Sequence, residues 1–446
     1  MTIMKLTTYE QEMLDGKHGK AKAYAMERLV EFGIAVGAKE MVRVSMAHYI
    51  SPLLCNADTP ERGAYELGES GLAWPFVEFG EKVAEGTTCT TEPYLCQMDK
   101  YEEPGYPWNC SGKKLPQAIF DGRKKGYEFA NRAGWVRAES CTIPMHTNIP
   151  KFGEYGACAE SSAATYINSI IGARTNRENP WTAQFAAYTG CLPKYGTMLD
   201  ENRKARVILE LDDAVRDSMS DPADWAALGG AMAIKSGNRV PAVLNMPRTI
   251  STTAAKAITA CASPGMNDPM LHLIGISPES PTLEAAFYGS IPADVERYAI
   301  TLDDVQAVYR SLNTANSDDV QVVHMGCPHL NYDEVRQIAG LIKGRKVKEG
   351  VHLWVQTDTP TYLLAQQQGE ARIIEEAGGK IYHQTCLGML MISGWDEKAN
   401  FATNSFKEVK LFGGLGHKEG NGWMFGTVPD LIDAAVSGRF VSRRWQ

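Results

Sequence analysis

No stretch of this 446-residue chain approaches the roughly 18 consecutive apolar residues of a membrane-spanning helix. The opening MTIMKLTTYEQEMLDGKHGK also lacks the apolar run of a signal peptide. The expected setting is the cytoplasm, with no membrane partner. The ten cysteines include no C-x-x-C pair, which argues against a zinc ribbon, a thioredoxin site or a ferredoxin cluster loop. They are scattered over a large chain, so a secreted disulfide scaffold is not expected either. A basic excess is missing too. Lys plus Arg number 45 against 53 Asp plus Glu, a net charge of −8, and nucleic acid is therefore not an expected partner. A few local arginines can still bind a small anion. The glycines of LFGGLGHKEGNG carry no G-K-[ST], and no G-x-S-x-G, H-E-x-x-H or kinase signature occurs. No internal repeat or low-complexity linker is visible.

What is present suits a folded globular protein, with 44% apolar and 22% charged residues and length for roughly two to four domains. Leu14, Ala21, Ala25, Leu29 and Phe32 recur at helical spacing over 8–36, broken near Gly16. Residues 40–48 read as a strand running into a loop with His48 and Ser51. Residues 89–116, rich in Pro, Gly and Tyr, read as a long irregular loop of the kind found over active sites. A helix is expected at about 117–132 and a short strand near 135–139 that ends at Cys141. Further on come a helix near 161–171, a strand at 206–211 and a buried helix at 226–234. The last third alternates strands (319–325, 351–356, 380–384) with helices. One runs over 332–343 with Asn331 and Glu334 in capping-box spacing; another starts at Pro360. This alternation predicts an α/β fold with mainly parallel sheets covered on both faces.

The chemistry-bearing residues gather at predicted strand ends. Cys327 and Cys386 each follow a strand within two residues, and Cys141 follows a short apolar segment. In open α/β sheets ligands sit beyond the carboxyl ends of strands, so three such cysteines can hold one metal between them. Each one alone is equally readable as a small buried hydrophobe, as Cys158 and Cys191 are. GARTNREN places Arg174, Asn176, Arg177 and Asn179 together, a set that suits a carboxylate or phosphate or a solvated helix end. Glu160, Ser161 and Ser162 precede a helix, where serine commonly caps and glutamate serves as an acid or base. Asn404, Ser405 and Lys407 of ATNSFK offer anion contacts or a helix cap. His48 and His329 lie beside these candidates.

Taken together, SCTIPMHTNIPKFGEYGACAESSAATYINSIIGARTNREN, GCPHLNYDEV, IYHQTC and ATNSFK resemble the catalytic, large subunit of the aconitase X family in order and spacing. The likeness runs from the first helix to VPDLIDAAVSGRF. It implies an aconitase-like fold over 1–446, with several α/β/α subdomains around a central cleft, divided near 1–300 and 301–446. It implies a hydro-lyase with an iron centre held by Cys141, Cys327 and Cys386, whether a 4Fe-4S or 2Fe-2S iron-sulfur cluster or a mononuclear iron. The family's Glu-Ser pair falls on Glu160 and Ser161 and its late lysine on Lys407. His48, Ser51, Ser162, Arg174, Asn176, Arg177, His329, Asn404 and Ser405 remain candidates for contacting substrate.

The swivelling domain of aconitase-like enzymes has no counterpart before Gln446, so the resemblance implies a small partner subunit that supplies it together with a serine base. Archaeal members dehydrate phosphomevalonate and carry a Gly-containing loop after the first Ala-His and an Asn-Pro after Thr-Thr. Here those places read Ala47-His48-Tyr49-Ile50-Ser51-Pro52 and Thr87-Thr88-Cys89-Thr90-Thr91, and 89–116 adds bulk. The expected substrate is accordingly cis-3-hydroxy-L-proline, dehydrated to 1-pyrroline-2-carboxylate. The alternatives are phosphomevalonate, another small hydroxy acid, or a non-catalytic metal-binding scaffold.

Overall fold

The structure, a computed structural model, describes residues 4–49, 76, 79–93, 128–386, 399–412 and 422–444. Most of the 89–116 loop, most of the helix expected at 117–132, and Ser51 lie outside them. Among the described residues the strands form three parallel sheets and one antiparallel pair, and no helix is long and apolar enough to cross a membrane.

The region expected as one strand at 40–48 is two. Met41–Arg43 pairs antiparallel with Cys191–Pro193, whereas Met46–Tyr49 lies between Thr88–Thr91 and Gly156–Cys158 in the first parallel sheet. His48 is thus a strand residue opposite Thr90 and Cys158, not a loop residue. The N-terminal helices Thr8–Leu14 and Lys20–Ala35 are separated at Gly16, whose φ of 81° suits glycine. Ala21, Ala25, Met26 and Leu29 form the buried stripe of the longer one.

The second sheet has the order His272–Leu273, Pro241–Leu244, Val207–Leu211, Arg297–Ile300. The third has the order Lys380–Tyr382, His352–Thr357, Val322–Leu330, Asn400–Thr403, Gly422–Phe425. Period-2 alternation splits the third sheet into two faces. Val322, Trp354, Tyr382, Phe401, Trp423 and Phe425 share one core with the helices beside the second sheet, Pro222–Ser236 and Thr252–Ala262. Val323, Leu353, Val355, Ile381, Ala402 and Met424 pack instead on Tyr332–Ile342 and Val428–Ser437. Second and third sheets are therefore joined by a common apolar layer, the dominant stabilising term in such packing.

Local chemistry sets the helix starts. Asn331 accepts the Glu334 N–H at 3.1 Å and Glu334 accepts the Asn331 N–H at 2.8 Å, the expected capping box. The helix expected from Pro360 begins one residue earlier, at Thr359, with Asp358 as its cap. Other boundaries move for identifiable reasons. The strand expected at 135–139 is only a bridge from Val136 to Thr90, and Glu139, at φ 46°, turns the chain before Cys141. Strand 322–330 continues past Cys327, because Leu330 pairs again with Thr357 after a register shift. The strand at 380 stops at Tyr382, two residues before Gln384 takes φ 61°.

Candidate active site

Strand Gly156–Cys158 delivers Glu160 to the start of helix Ser161–Tyr166, where one carboxylate oxygen accepts the Ala163 N–H at 2.6 Å. The other oxygen accepts a hydrogen bond from Lys407 Nζ, which also donates to Ser162 Oγ at 2.7 Å. Lys407 stands in the first turn of helix Phe406–Phe412, directly after the end of strand Asn400–Thr403. Both charges are buried. Burial alone would lower the pKa of Lys407, but Glu160, with the Cys327 and Cys141 sulfurs nearby, holds it above its ordinary value. The lysine is firmly cationic. Ser161 is partly exposed beside the pair.

The three cysteine segments meet around this pair. Cys141 Sγ accepts the backbone N–H of His329 at 3.2 Å. Cys327 bonds to Ser405 and lies near enough to Cys386 for each thiolate to disfavour the other. Burial pushes both the Cys141 and Cys327 thiols well up; Glu92 and Glu160 raise Cys141 further, while Lys407 draws both down. Among the described residues no three His, Cys, Asp or Glu side chains form a ready-made metal cage. Cys158 and Cys191 are buried packing residues, as expected.

His329 sits in the same place. Its Nε2 meets the Thr385 carbonyl at 2.8 Å, one residue before Cys386, and burial drives the ring down to about 4. It is therefore neutral with its proton on Nε2, an assignment made from the hydrogen bond. Its Nδ1 is buried without a hydrogen-bond partner.

Three histidine–carboxylate pairs surround the centre. His48 Nε2 lies 2.7 Å from Glu92 Oε1 and its Nδ1 2.9 Å from Thr90 Oγ1. His324 Nδ1 lies 2.7 Å from Glu408. His146 Nε2 lies 3.0 Å from Asp358 and is the partly exposed member of the three. Burial works against ionised Asp358, but the His146 hydrogen bond holds its carboxyl down. None of Glu92, His146, Asp358, His324 or Glu408 stands out in the sequence. The stretch from Cys89 does not begin as the irregular loop expected: Thr88–Thr91 is a strand parallel to that of His48, and it delivers Glu92 directly.

The Glu92 carboxyl is pushed up to about 7 by burial and by Glu160, against the pull of His48 and Lys407. Its folded value lies above the ordinary 4.5, so the folded chain binds this proton more tightly than the unfolded one. The resulting stabilisation is full below about 4.5 and is lost as pH rises through about 7. Glu92→Gln keeps a neutral hydrogen-bonding group and should flatten that part of the stability curve. Urea midpoints of both proteins between about pH 4.5 and 8 check the sign; parallel curves would contradict it.

The loop 174–179 divides. Arg174 is held by Asp200 and the Met198 carbonyl. Asn176 donates to the Tyr195 carbonyl and accepts from Thr197 N and Oγ1. These bonds fix the loop and reach none of the three cysteine segments. Arg177 remains at the site: it is exposed, donates to the Ser263 and Met266 carbonyls, and lies within the field of Glu160. Ser405 caps its helix through the Glu408 N–H at 3.0 Å, as the capping reading of ATNSFK expects, and also touches Cys327. Asn404 is half-buried beside it.

Residues 3–201, 205–310 and 320–437 match the aconitase X first, second and third domains in turn. The phosphomevalonate dehydratase large subunit of Thermococcus kodakarensis is 31% identical, over 93% of this chain and 96% of its own. The chain belongs to the aconitase X family. The cis-3-hydroxy-L-proline dehydratase of Pseudomonas aeruginosa is 26% identical over 98% of this chain and 70% of its own. A crystal structure of Thermococcus kodakaraensis aconitase X in its holo-form superposes with a TM-score of 0.77 at 29% identity, covering 97% of this chain and 100% of that one. Its aconitase-like α/β fold and its place among the dehydratases make this aconitase X chain a carbon–oxygen lyase.

Proposed function

We propose that this chain eliminates water from cis-3-hydroxy-L-proline as the large subunit of a two-chain enzyme, with iron held by Cys141, Cys327 and Cys386. The observation that carries this reading is the meeting of three cysteine segments around the buried Lys407–Glu160 pair. The donors fit iron chemically: three thiols suit a soft or borderline metal, and the Cys141 sulfur already accepts a backbone N–H that would stabilise a thiolate. Binding would displace the thiol protons that burial now retains. Iron in that position supplies a Lewis acid for the departing hydroxyl.

The chain's own residues do the rest. Lys407, fixed by Glu160 and Ser162, presents a positive charge where the substrate carboxylate gains electron density as the α-proton leaves. Arg177 supplies a second cation at the exposed side. Ser161 offers a hydroxyl, and His329 Nδ1 accepts a hydrogen bond from the substrate or from water. The α-proton passes to a base on the small subunit. The enamine product then tautomerises to the pyrroline carboxylate. A separate small subunit is supported by relatives named as large subunits.

Phosphomevalonate is the second reading, favoured by the 31% identity with a phosphomevalonate dehydratase large subunit. The purified two-chain complex, assayed anaerobically with each compound, separates the two. Turnover of cis-3-hydroxy-L-proline alone supports the first reading, and turnover of phosphomevalonate alone overturns it.

A further inference from the structure

His329 is the junction of the whole centre. Its amide N–H donates to Cys141 Sγ at 3.2 Å. Its ring donates to the carbonyl of Thr385, beside Cys386. It follows Cys327 by two residues. One residue therefore reaches all three cysteine segments, and its remaining backbone group, the carbonyl, accepts a hydrogen bond from Lys256 Nζ at 2.8 Å.

Lys256 comes from elsewhere in the fold. It projects from helix Thr252–Ala262, which packs with the second sheet, and is only 4% exposed. Its ammonium also pairs with Glu334, itself 5% exposed. Glu334 is the residue that accepts the Asn331 N–H at 2.8 Å, and Asn331 Nδ2 in turn donates to Thr253 Oγ1 at 2.9 Å. The helix of Lys256 is thus tied twice to the short segment 329–334. Lys256 and Cys141 also border one small void of about 10 Å³ with Ser162 and Pro328, room for about one water.

Stability alone does not account for such a pair. Replacing a buried ion pair by apolar groups of like volume is often neutral or stabilising, so an ammonium kept here calls for a positional reason. The geometry supplies one. The Lys256 bond pulls on the carbonyl side of His329 while the amide side faces Cys141.

We propose that Lys256 is a positioning residue for the cysteine centre: through the His329 carbonyl it fixes the backbone whose amide bonds Cys141, and so sets how tightly the three cysteines hold iron. The inference rests on the iron reading above. Groups that orient metal ligands from outside change metal affinity about 10- to 100-fold when removed.

The test uses the two-chain protein reconstituted anaerobically with ferrous iron, with sulfide added in parallel samples. Lys256→Met combined with Glu334→Gln strands no buried charge. It should bind iron about 10- to 100-fold more weakly in chelator competition, with a displaced thiolate-to-iron absorption band and unchanged near-UV dichroism. Lys256→Arg keeps the charge and the pairing with Glu334 but moves the donor away from the carbonyl, and should shift affinity and band in the same direction by less. It is the reporter if the double variant does not fold. Parent-like affinity and absorption in the variants that fold, with iron lost from a chain carrying Cys141→Ala, Cys327→Ala and Cys386→Ala together, overturns the Lys256 inference alone. Iron that stays on that triple variant, or that never binds the parent, overturns the cysteine centre and this inference with it.

Discussion

Lys407→Met should cost about 3–5 kcal/mol of stability, because it leaves the Glu160 carboxylate buried without its counter-charge. The Ala163 N–H remains as a partner for one oxygen, and the Arg177 guanidinium acts on Glu160 only through its field, held by the Ser263 and Met266 carbonyls. Activity should fall further than stability. If the ammonium acts mainly on charge that develops as the α-proton leaves, its removal should lower kcat by about 10²- to 10³-fold. Combining Lys407→Met with Glu160→Gln separates the two effects. The double variant should recover most of the lost stability, since no charge is stranded, and none of the lost kcat. Urea unfolding and anaerobic turnover of the three variants check this. A Lys407→Met protein as stable as the parent would mean that the pair is not closed in the folded chain.

Arg203→Met should destabilise by a similar amount, about 3–5 kcal/mol, at a place no motif marks. Arg203 is fully buried. Its Nε and Nη2 donate to Glu279 at 2.8–3.1 Å, and its Nη1 donates to Asn168 Oδ1 at 2.8 Å and the Thr197 carbonyl at 2.9 Å. The change strands Glu279, whose side chain is only 10% exposed, and frees acceptors on the helix that leads into loop 172–179. Arg177 hangs from that loop, so KM should rise along with the loss of stability. Restoring the charge balance with Glu279→Gln should return part of the stability and leave KM raised. A KM equal to the parent's would separate the loop from substrate binding.

The sequence made the three cysteine segments legible because each carries its own local signal, a short apolar run and then a cysteine, although Cys141 follows only a bridge and Cys327 lies inside its strand. The Asn331–Glu334 box and the start near Pro360 were legible for the same reason, since their partners lie within a turn. The pairs that complete the site were not. His48 finds Glu92 44 residues away, Lys256 finds the His329 carbonyl 73 away, and His324 finds Glu408 84 away. Nothing in local propensity or periodicity records such distances; they arise when strands and helices from separate stretches are laid side by side. Arg174 and Asn176 show the converse. Their residue types suit an anion, but short-range partners in 195–200 take up their hydrogen bonds. His48, expected in a loop, lies inside a strand and is clamped by Glu92.

The most direct test of the central claim is the iron and acid-labile sulfide content per chain after anaerobic co-expression with a small-subunit candidate, measured beside the protein carrying Cys141→Ala, Cys327→Ala and Cys386→Ala together. The account predicts iron on the parent and none on the triple variant, with the iron-to-sulfide ratio giving the type of centre. Equal iron in both proteins, or none in a well-folded parent, would contradict it and return the three cysteines to the core.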